Sequence, residues 1–220
     1  MKPASQIPLD LSHAPSFEMA DFIVSSSNEA ACSLVQSWPE WPGHVVALIG
    51  PEASGKSHLA HAWAKDAGAA VFGADTEVSM LQPGQAVLAE DMDELGRSEQ
   101  DLFHLFNWIK EISGSLLITS KTPPNRWVID LPDLRSRLTT IAVGEIYQPD
   151  DELLMVLMVK LFSDRQLQVD MTVLNYVLPR IERSFSAVYA FVARLDAAAL
   201  ADKRKISRAL AKACLAKTAT

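Results

Sequence analysis

Gly50-Pro51-Glu52-Ala53-Ser54-Gly55-Lys56-Ser57 satisfies the spacing G-x-x-x-x-G-K-[ST], and the chemistry of that pattern is phosphate binding. Gly50 and Gly55 let the backbone wrap with its N–H groups pointing inward as an anion nest. The start of a following helix adds partial positive charge. Lys56 is placed to reach the β- and γ-phosphates of a nucleotide, and Ser57 to ligate Mg²⁺. Pro51, Glu52, Ala53 and Ser54 within the loop, and His58 directly after it, complete the candidate nucleotide contacts.

A phosphate loop that supports hydrolysis needs acids on a neighbouring strand. Ala86-Val87-Leu88-Ala89-Glu90-Asp91 is an apolar run ending in two carboxylates, so Glu90 is a candidate Mg²⁺ ligand and Asp91 a candidate for orienting an attacking water. Asp93 and Glu94 follow closely, and an ordinary charged loop is the competing reading. His58 and His61 lie one turn apart without a third ligand in view, so zinc is not expected.

These residues require strands that end at one edge. His44–Ile49 is a short continuous apolar run of the kind buried on both faces of a parallel sheet. Similar runs at 69–72, 86–89, 115–119 and 139–143 give five candidate strands, interspersed with helical patterns at 28–37, 55–67 and 99–112. After Pro149 strand-like patterning stops, and helices are expected near 150–163, 170–178, 184–200 and 203–216. The predicted architecture is α/β: an extended arm over 1–20, a nucleotide-binding domain with a five-stranded parallel sheet over 21–147, and a small all-helical domain over 148–220.

Composition fits that picture. The chain has 220 residues, 49% hydrophobic and 21% charged, as expected of a globular chain with one domain and a smaller partner. Twenty basic residues against 27 acidic ones leave a net charge of −7, which repels nucleic acid except at a local patch. No apolar run approaches the ~20 residues that span a bilayer, and the N-terminus lacks the apolar core of a signal peptide. Cys32 and Cys214 lie far apart, without metal or redox spacing, and read as small buried thiols. A cytoplasmic location is expected, with no membrane contact.

Several segments together resemble the AAA+ module of the DnaA-homologous family of bacterial replication proteins. Asp21-Phe22-Ile23-Val24 with Asn28-Glu29-Ala30 is similar to the family's adenine-side segment, which implies base contacts from Phe22, Ile23, Val24 and Asn28. Glu99–Asn107 resembles the helix after the acidic strand, and Leu116–Ser120 followed by Thr122-Pro123-Pro124 the sensor 1 strand with its double-proline exit. Leu131–Leu138 resembles box VII, which puts Arg137 where the arginine finger sits, a group that enters a neighbouring subunit's γ-phosphate site in trans. Ile181–Phe185 resembles the sensor 2 segment of the lid, with Arg183 directed at the phosphates. The chain departs from the family at Glu90, usually Asp, and at Lys121, usually an acid. These departures bear on hydrolysis and leave binding of ADP or ATP with Mg²⁺ as the expectation.

The sequence continues to its end without the helix-turn-helix or the single-stranded DNA insertion of the initiators, so direct sequence-specific DNA binding is not expected. Gln6-Ile7-Pro8-Leu9-Asp10-Leu11 resembles the clamp-binding motif of the family's regulatory branch. Gln6, Ile7, Leu9 and Leu11 match it, and Pro8 biases Ile7 toward an extended backbone. The resemblance therefore implies negative regulation of replication initiation. The arm docks on the DNA-loaded sliding clamp (beta subunit) of DNA polymerase III, Arg137 stimulates hydrolysis of DnaA-bound ATP, and ADP is the chain's own ligand. The implied partners are DnaA and the clamp, and the resemblance also implies self-association of the chain as a homodimer. The alternatives are an autonomous AAA+ ATPase of helicase-loader type and a small-molecule kinase, for which no acceptor-site pattern is present.

Overall fold

The computed structural model describes Met19 and residues 22–216, apart from residues 74, 95, 203 and 204 and the side chain of residue 202. The clamp-like motif Gln6, Ile7, Leu9 and Leu11 lies outside the described residues. Helix α1 (Glu29–Gln36) precedes strand β1 (Val45–Ile49). Then come α2 (Lys56–Ala67), β2 (Ala70–Val71), β3 (Ala86–Ala89), α3 (Glu99–Glu111), β4 (Ser115–Ser120), α4 (Pro132–Leu138) and β5 (Ala142–Glu145). Four further helices follow: α5 (Asp151–Asp164), α6 (Met171–Val177), α7 (Phe185–Asp202) and α8 (Arg208–Ala216).

The strands form one sheet in the order β2-β3-β4-β1-β5, with every pairing parallel. Parallel pairing forces crossovers that cover both faces, which is why the strands read as unbroken apolar runs. Val46, Leu48, Leu88 and Leu117 point to one face, where they pack with Val35, Leu59 and Trp63 from α1 and α2. Ala47, Ile49, Val87, Leu116 and Ile118 point to the other, against Leu105 and Ile109 of α3 and Leu134 of α4. The tryptophans belong to the first face: Trp41 stacks on Trp63 at 5.1 Å and Trp38 meets it edge-on at 6.2 Å.

The chain leaves β1 toward β2 on one side and reaches β5 on the other, so the connections diverge at β1. In open α/β sheets the crevice beyond the carboxyl ends at such a point is where ligands bind. Helices α5 to α8 enclose their own core, with Leu154, Met158, Val177, Val188, Phe191, Val192 and Leu195 at its centre. Each of these large side chains stabilises by about 1.5–3 kcal/mol on burial.

Three expectations shift. The last strand is expected at 139–143 and lies at Ala142–Glu145. Thr139 and Thr140 instead finish α4, their hydroxyls donating to the Ser136 and Arg137 carbonyls at 2.6 and 2.8 Å. β-branched residues with hydroxyls serve a strand or a helix end equally well, and here the local bond wins. Helix α4 itself carries no periodic signal, being only seven residues long. The last helix begins at Arg208 rather than near 203, because Ser207 precedes it and accepts from the Leu210 N–H at 3.4 Å. No helix among the described residues is long and apolar enough to cross a membrane.

Candidate nucleotide-binding site

The loop between β1 and α2 has the backbone its glycines predict. Gly50 has φ +154°, and a Cβ there would sit 2.2 Å from the Ile146 carbonyl oxygen, so any side chain would push the loop off β5. Gly55 has φ +101° and meets the Phe185 ring of the lid, with 2.9 Å from a built Cβ to the ring. Between them Ala53 takes the left-handed region at φ +57°, where a non-glycine residue is uncommon and points to function.

Three features of this loop await an anion. Helix α2 starts at the Gly55 N-cap without a side-chain cap bond, which leaves its first N–H groups facing outward. The Ser54 hydroxyl is buried and makes no hydrogen bond. Lys56 is 7% exposed, and its Nζ donates to the Gly50 and Pro51 carbonyls at 2.8 Å each. Burial pushes the Lys56 ammonium below the ordinary lysine range, while Asp91 and Asp93 pull it back up. A terminal phosphate would satisfy all three, so the residues fit a nucleotide.

The loop floors a cavity of about 470 Å³ lined by Phe22, Ile23, residues 52–58, Asp91, Glu94, Lys121 and the lid residues Leu157, Phe185, Ser186 and Tyr189. Its apolar end is made by Phe22 and Ile23, with Phe22 edge-on to His58 at 5.5 Å. Asn28 supports that end without lining it: its Oδ1 accepts from the Ser25 N–H and its Nδ2 donates to the Ile23 carbonyl at 3.0 Å. Val24 is half exposed and does not line the cavity.

The two expected acids part company. Asp91 lines the cavity at φ +46°, its N–H bonded to Thr119 Oγ1 at 2.9 Å. Glu90 does not line it; its Oε2 lies 2.8 Å from His61 Nε2 on α2. Glu90 thus has a partner on α2 within the fold. Ser57 and Asp91 are among the oxygen-bearing side chains that line the cavity.

The arginines separate as well. Arg135 donates to the Ile129 carbonyl through two nitrogens and is committed to its own chain. Arg137, on the last turn of α4, is half-buried with its guanidinium 5.1 Å above the Phe103 ring. It is neither in the hydrophobic interior nor at its own chain's cavity. Arg183 is 61% exposed and pairs with Asp151 at 3.0 Å. Two residues later α7 begins, and Phe185 and Ser186 of its first turn face the loop. Leu157 and Tyr189 were not foreseeable without knowing how the lid folds back. Lys121 and Glu94 were visible only as a departure from a pattern and as a loop charge.

The fold is a five-stranded parallel sheet with a phosphate-loop motif after β1 and a helical lid, the architecture of AAA+ domains. Residues 150–215 match the family model described as "Hda, lid domain". The chain is 24% identical over 230 aligned positions to the chromosomal replication initiator protein DnaA of Caldanaerobacter subterraneus subsp. tengcongensis, covering 91% of this chain and 52% of that protein. It spans about half the length of the curated relatives it matches. Domain III of Thermotoga maritima DnaA superposes with a TM-score of 0.78 at 17% identity, covering 93% of this chain and 97% of that one. AMPPCP-bound DnaA from Aquifex aeolicus superposes at 0.65 with 19% identity, covering 82% and 64%. The chain is thus similar to DnaA in sequence and fold, and its lid matches the Hda lid model.

Proposed function

We propose that this protein is a regulator of DNA replication initiation that acts on DnaA, using a nucleotide-bound AAA+ body to present Arg137 to the ATP site of a DnaA protomer. One observation carries this reading: Arg137 lies half-buried over the Phe103 ring, outside the hydrophobic core and away from its own cavity, on a helix pinned to the sheet by Leu134 and Leu138. A guanidinium that serves no site of its own is available to a neighbour's triphosphate, where such a group contributes about 10³–10⁵ in rate.

The chain's own site binds ADP or ATP. The backbone of residues 50–57, Lys56 and Ser54 hold the phosphates, and Phe22, Ile23 and the lid enclose the base. Ser57 and Asp91 would hold Mg²⁺, which would supply neutralising charge to the phosphates. Pairing of Glu90 with His61 favours a binding role over efficient hydrolysis. Gln6, Ile7, Leu9 and Leu11 tether the chain to the sliding clamp, which raises the effective concentration of a weak AAA+ contact where replication is under way.

The test is reconstituted hydrolysis of DnaA-bound ATP with DNA-loaded clamp. Arg137→Ala and the double change Leu9→Ala, Leu11→Ala are each expected to abolish stimulation while nucleotide binding by the chain survives. Full stimulation by Arg137→Ala removes the mechanism. Presence of Asp91 in the cavity supports a second reading, an autonomous ATPase, which rapid turnover by the isolated chain would favour.

A further inference from the structure

Tyr176 of α6 carries two guanidinium groups. Arg180, in the short turn Leu178–Arg180 that follows α6, lies 4.1 Å from its ring centroid, and Arg208, which opens α8, lies 4.3 Å from it. Charges that share one ring cannot lie much further apart than the roughly 8 Å over which physiological salt screens them, so the two repel. Lys212 follows Arg208 by one turn on the exposed side of α8, while Ala211 and Cys214 fix its other side in the lid core. Lys205 stands three residues ahead of Arg208, and Lys203 and Arg204 precede it in the sequence. Arg180, Lys205, Arg208 and Lys212 are all exposed. Among the described residues none of the four pairs with a carboxylate, Glu182 beside Arg180 included. On a chain of net charge −7, this face of the lid reverses the sign.

We propose that Arg180, Lys205, Arg208 and Lys212 bind the phosphate backbone of duplex DNA without reading its sequence. Cations gathered on a surface without acids to neutralise them are relieved by a polyanion, and duplex DNA, with about one charge per 1.7 Å of axis, is the densest phosphate array available. The arginines are held for the task. The Tyr176 ring, packed on the lid core, supports both guanidinium planes, and Arg180 Nη1 donates to the Tyr176 carbonyl at 2.8 Å. The remaining N–H groups face outward in the planar fork that suits phosphate oxygens. Single strands are held by bases stacking on open aromatic rings, whereas the Tyr176 ring is already engaged by the arginines, which favours the duplex. None of the four residues lines the nucleotide cavity, so this contact is separate from the nucleotide site and from the surface that carries Arg137.

The experiment titrates the full chain into a labelled duplex of about 20 base pairs and scrambled sequence, read by fluorescence anisotropy from about 50 to about 200 mM salt. Wild type is expected to bind weakly, with log affinity falling against log salt at a slope of about −3 to −4, four phosphates at about 0.9 each. A change of duplex sequence should leave affinity within about twofold. Arg180→Gln with Arg208→Gln, and separately Lys205→Gln with Lys212→Gln, should each weaken binding about tenfold or more and flatten the slope by about 2. Arg180→Lys with Arg208→Lys, which keeps the charge, should recover most of the slope. Lys65→Gln with Lys110→Gln alters net charge equally on the sheet domain and should cost less than about threefold. Thermal melts confirm that each variant folds, and the exposed lysine pair tests the face even if the arginine pair does not. Four results overturn the proposal: no duplex binding by wild type at low salt, an equal loss in the sheet-domain control, tighter binding to a single strand of the same length, or binding to anionic phospholipid vesicles without binding to the duplex.

Discussion

Ser54 is the residue where stability and binding pull in opposite directions. Its hydroxyl is 2% exposed and bonds to nothing within the chain, so the ligand-free fold carries the desolvation cost of a polar group without the bond that would offset it. Removing the hydroxyl should relieve that cost. Ser54→Ala is therefore expected to raise the stability of the ligand-free chain by up to about 1 kcal/mol while weakening nucleotide binding, in urea melts paired with calorimetric titration. A variant destabilised without ligand would mean that the hydroxyl is already satisfied. Residues of this kind were legible in the sequence because the loop is contiguous: backbone, lysine and hydroxyl come from eight successive positions. The partners of Glu90 and Arg183 were not legible, for the opposite reason. Each residue lies one side-chain length from a partner on another element, His61 and Asp151, and chain order says nothing about which partner wins.

At the scale of elements, the short helix α4 is what gives Arg137 its position, and seven residues cannot hold themselves. Glu99, at the start of α3, supplies the clamp: its two carboxylate oxygens accept from the Asp130 and Leu131 N–H groups at 2.9 and 2.8 Å, just ahead of the first turn of α4. Those two bonds hold the Glu99 carboxyl below the usual glutamate range, with Arg135 assisting. A folded pKa below the unfolded one makes the contribution complete above the unfolded value of about 4.3 and progressively lost as pH falls through the depressed value. Wild type is therefore expected to lose melting temperature more steeply below about pH 4.3 than Glu99→Gln, with the two converging in acid. A gap between them that stays constant down to pH 3 would count against the clamp. Strands and long helices could be read ahead of time because burial writes its period into many residues. Helix α4 could not, since its ends are set by a carboxylate 32 residues away and by the hydroxyls of Thr139 and Thr140.

Over the whole molecule, the sheet domain and the lid each bury their own core, and the cavity lies along the seam between them. The seam is thin: the Phe185 ring against Gly55, Ile23 packed on the lid core, and Ser26 Oγ donating to Asp150 at 3.1 Å. A nucleotide placed there would touch the phosphate loop on one side and Leu157, Phe185 and Tyr189 on the other, so it would add contacts across the seam. Ligand at 100 times its dissociation constant stabilises whatever it binds by about 2.7 kcal/mol, and at a seam that energy is shared by both bodies. In hydrogen-exchange measurements, ADP is expected to slow exchange in α2 and equally in α5 and the first turns of α7, although neither lid helix belongs to the phosphate loop. Phe185→Ala should uncouple the two, keeping protection in α2 while the lid returns to its ligand-free rate. If protection in the native chain is confined to residues 50–60, the lid is a bystander to binding, and any signal that nucleotide state sends to a partner must leave from the sheet domain alone.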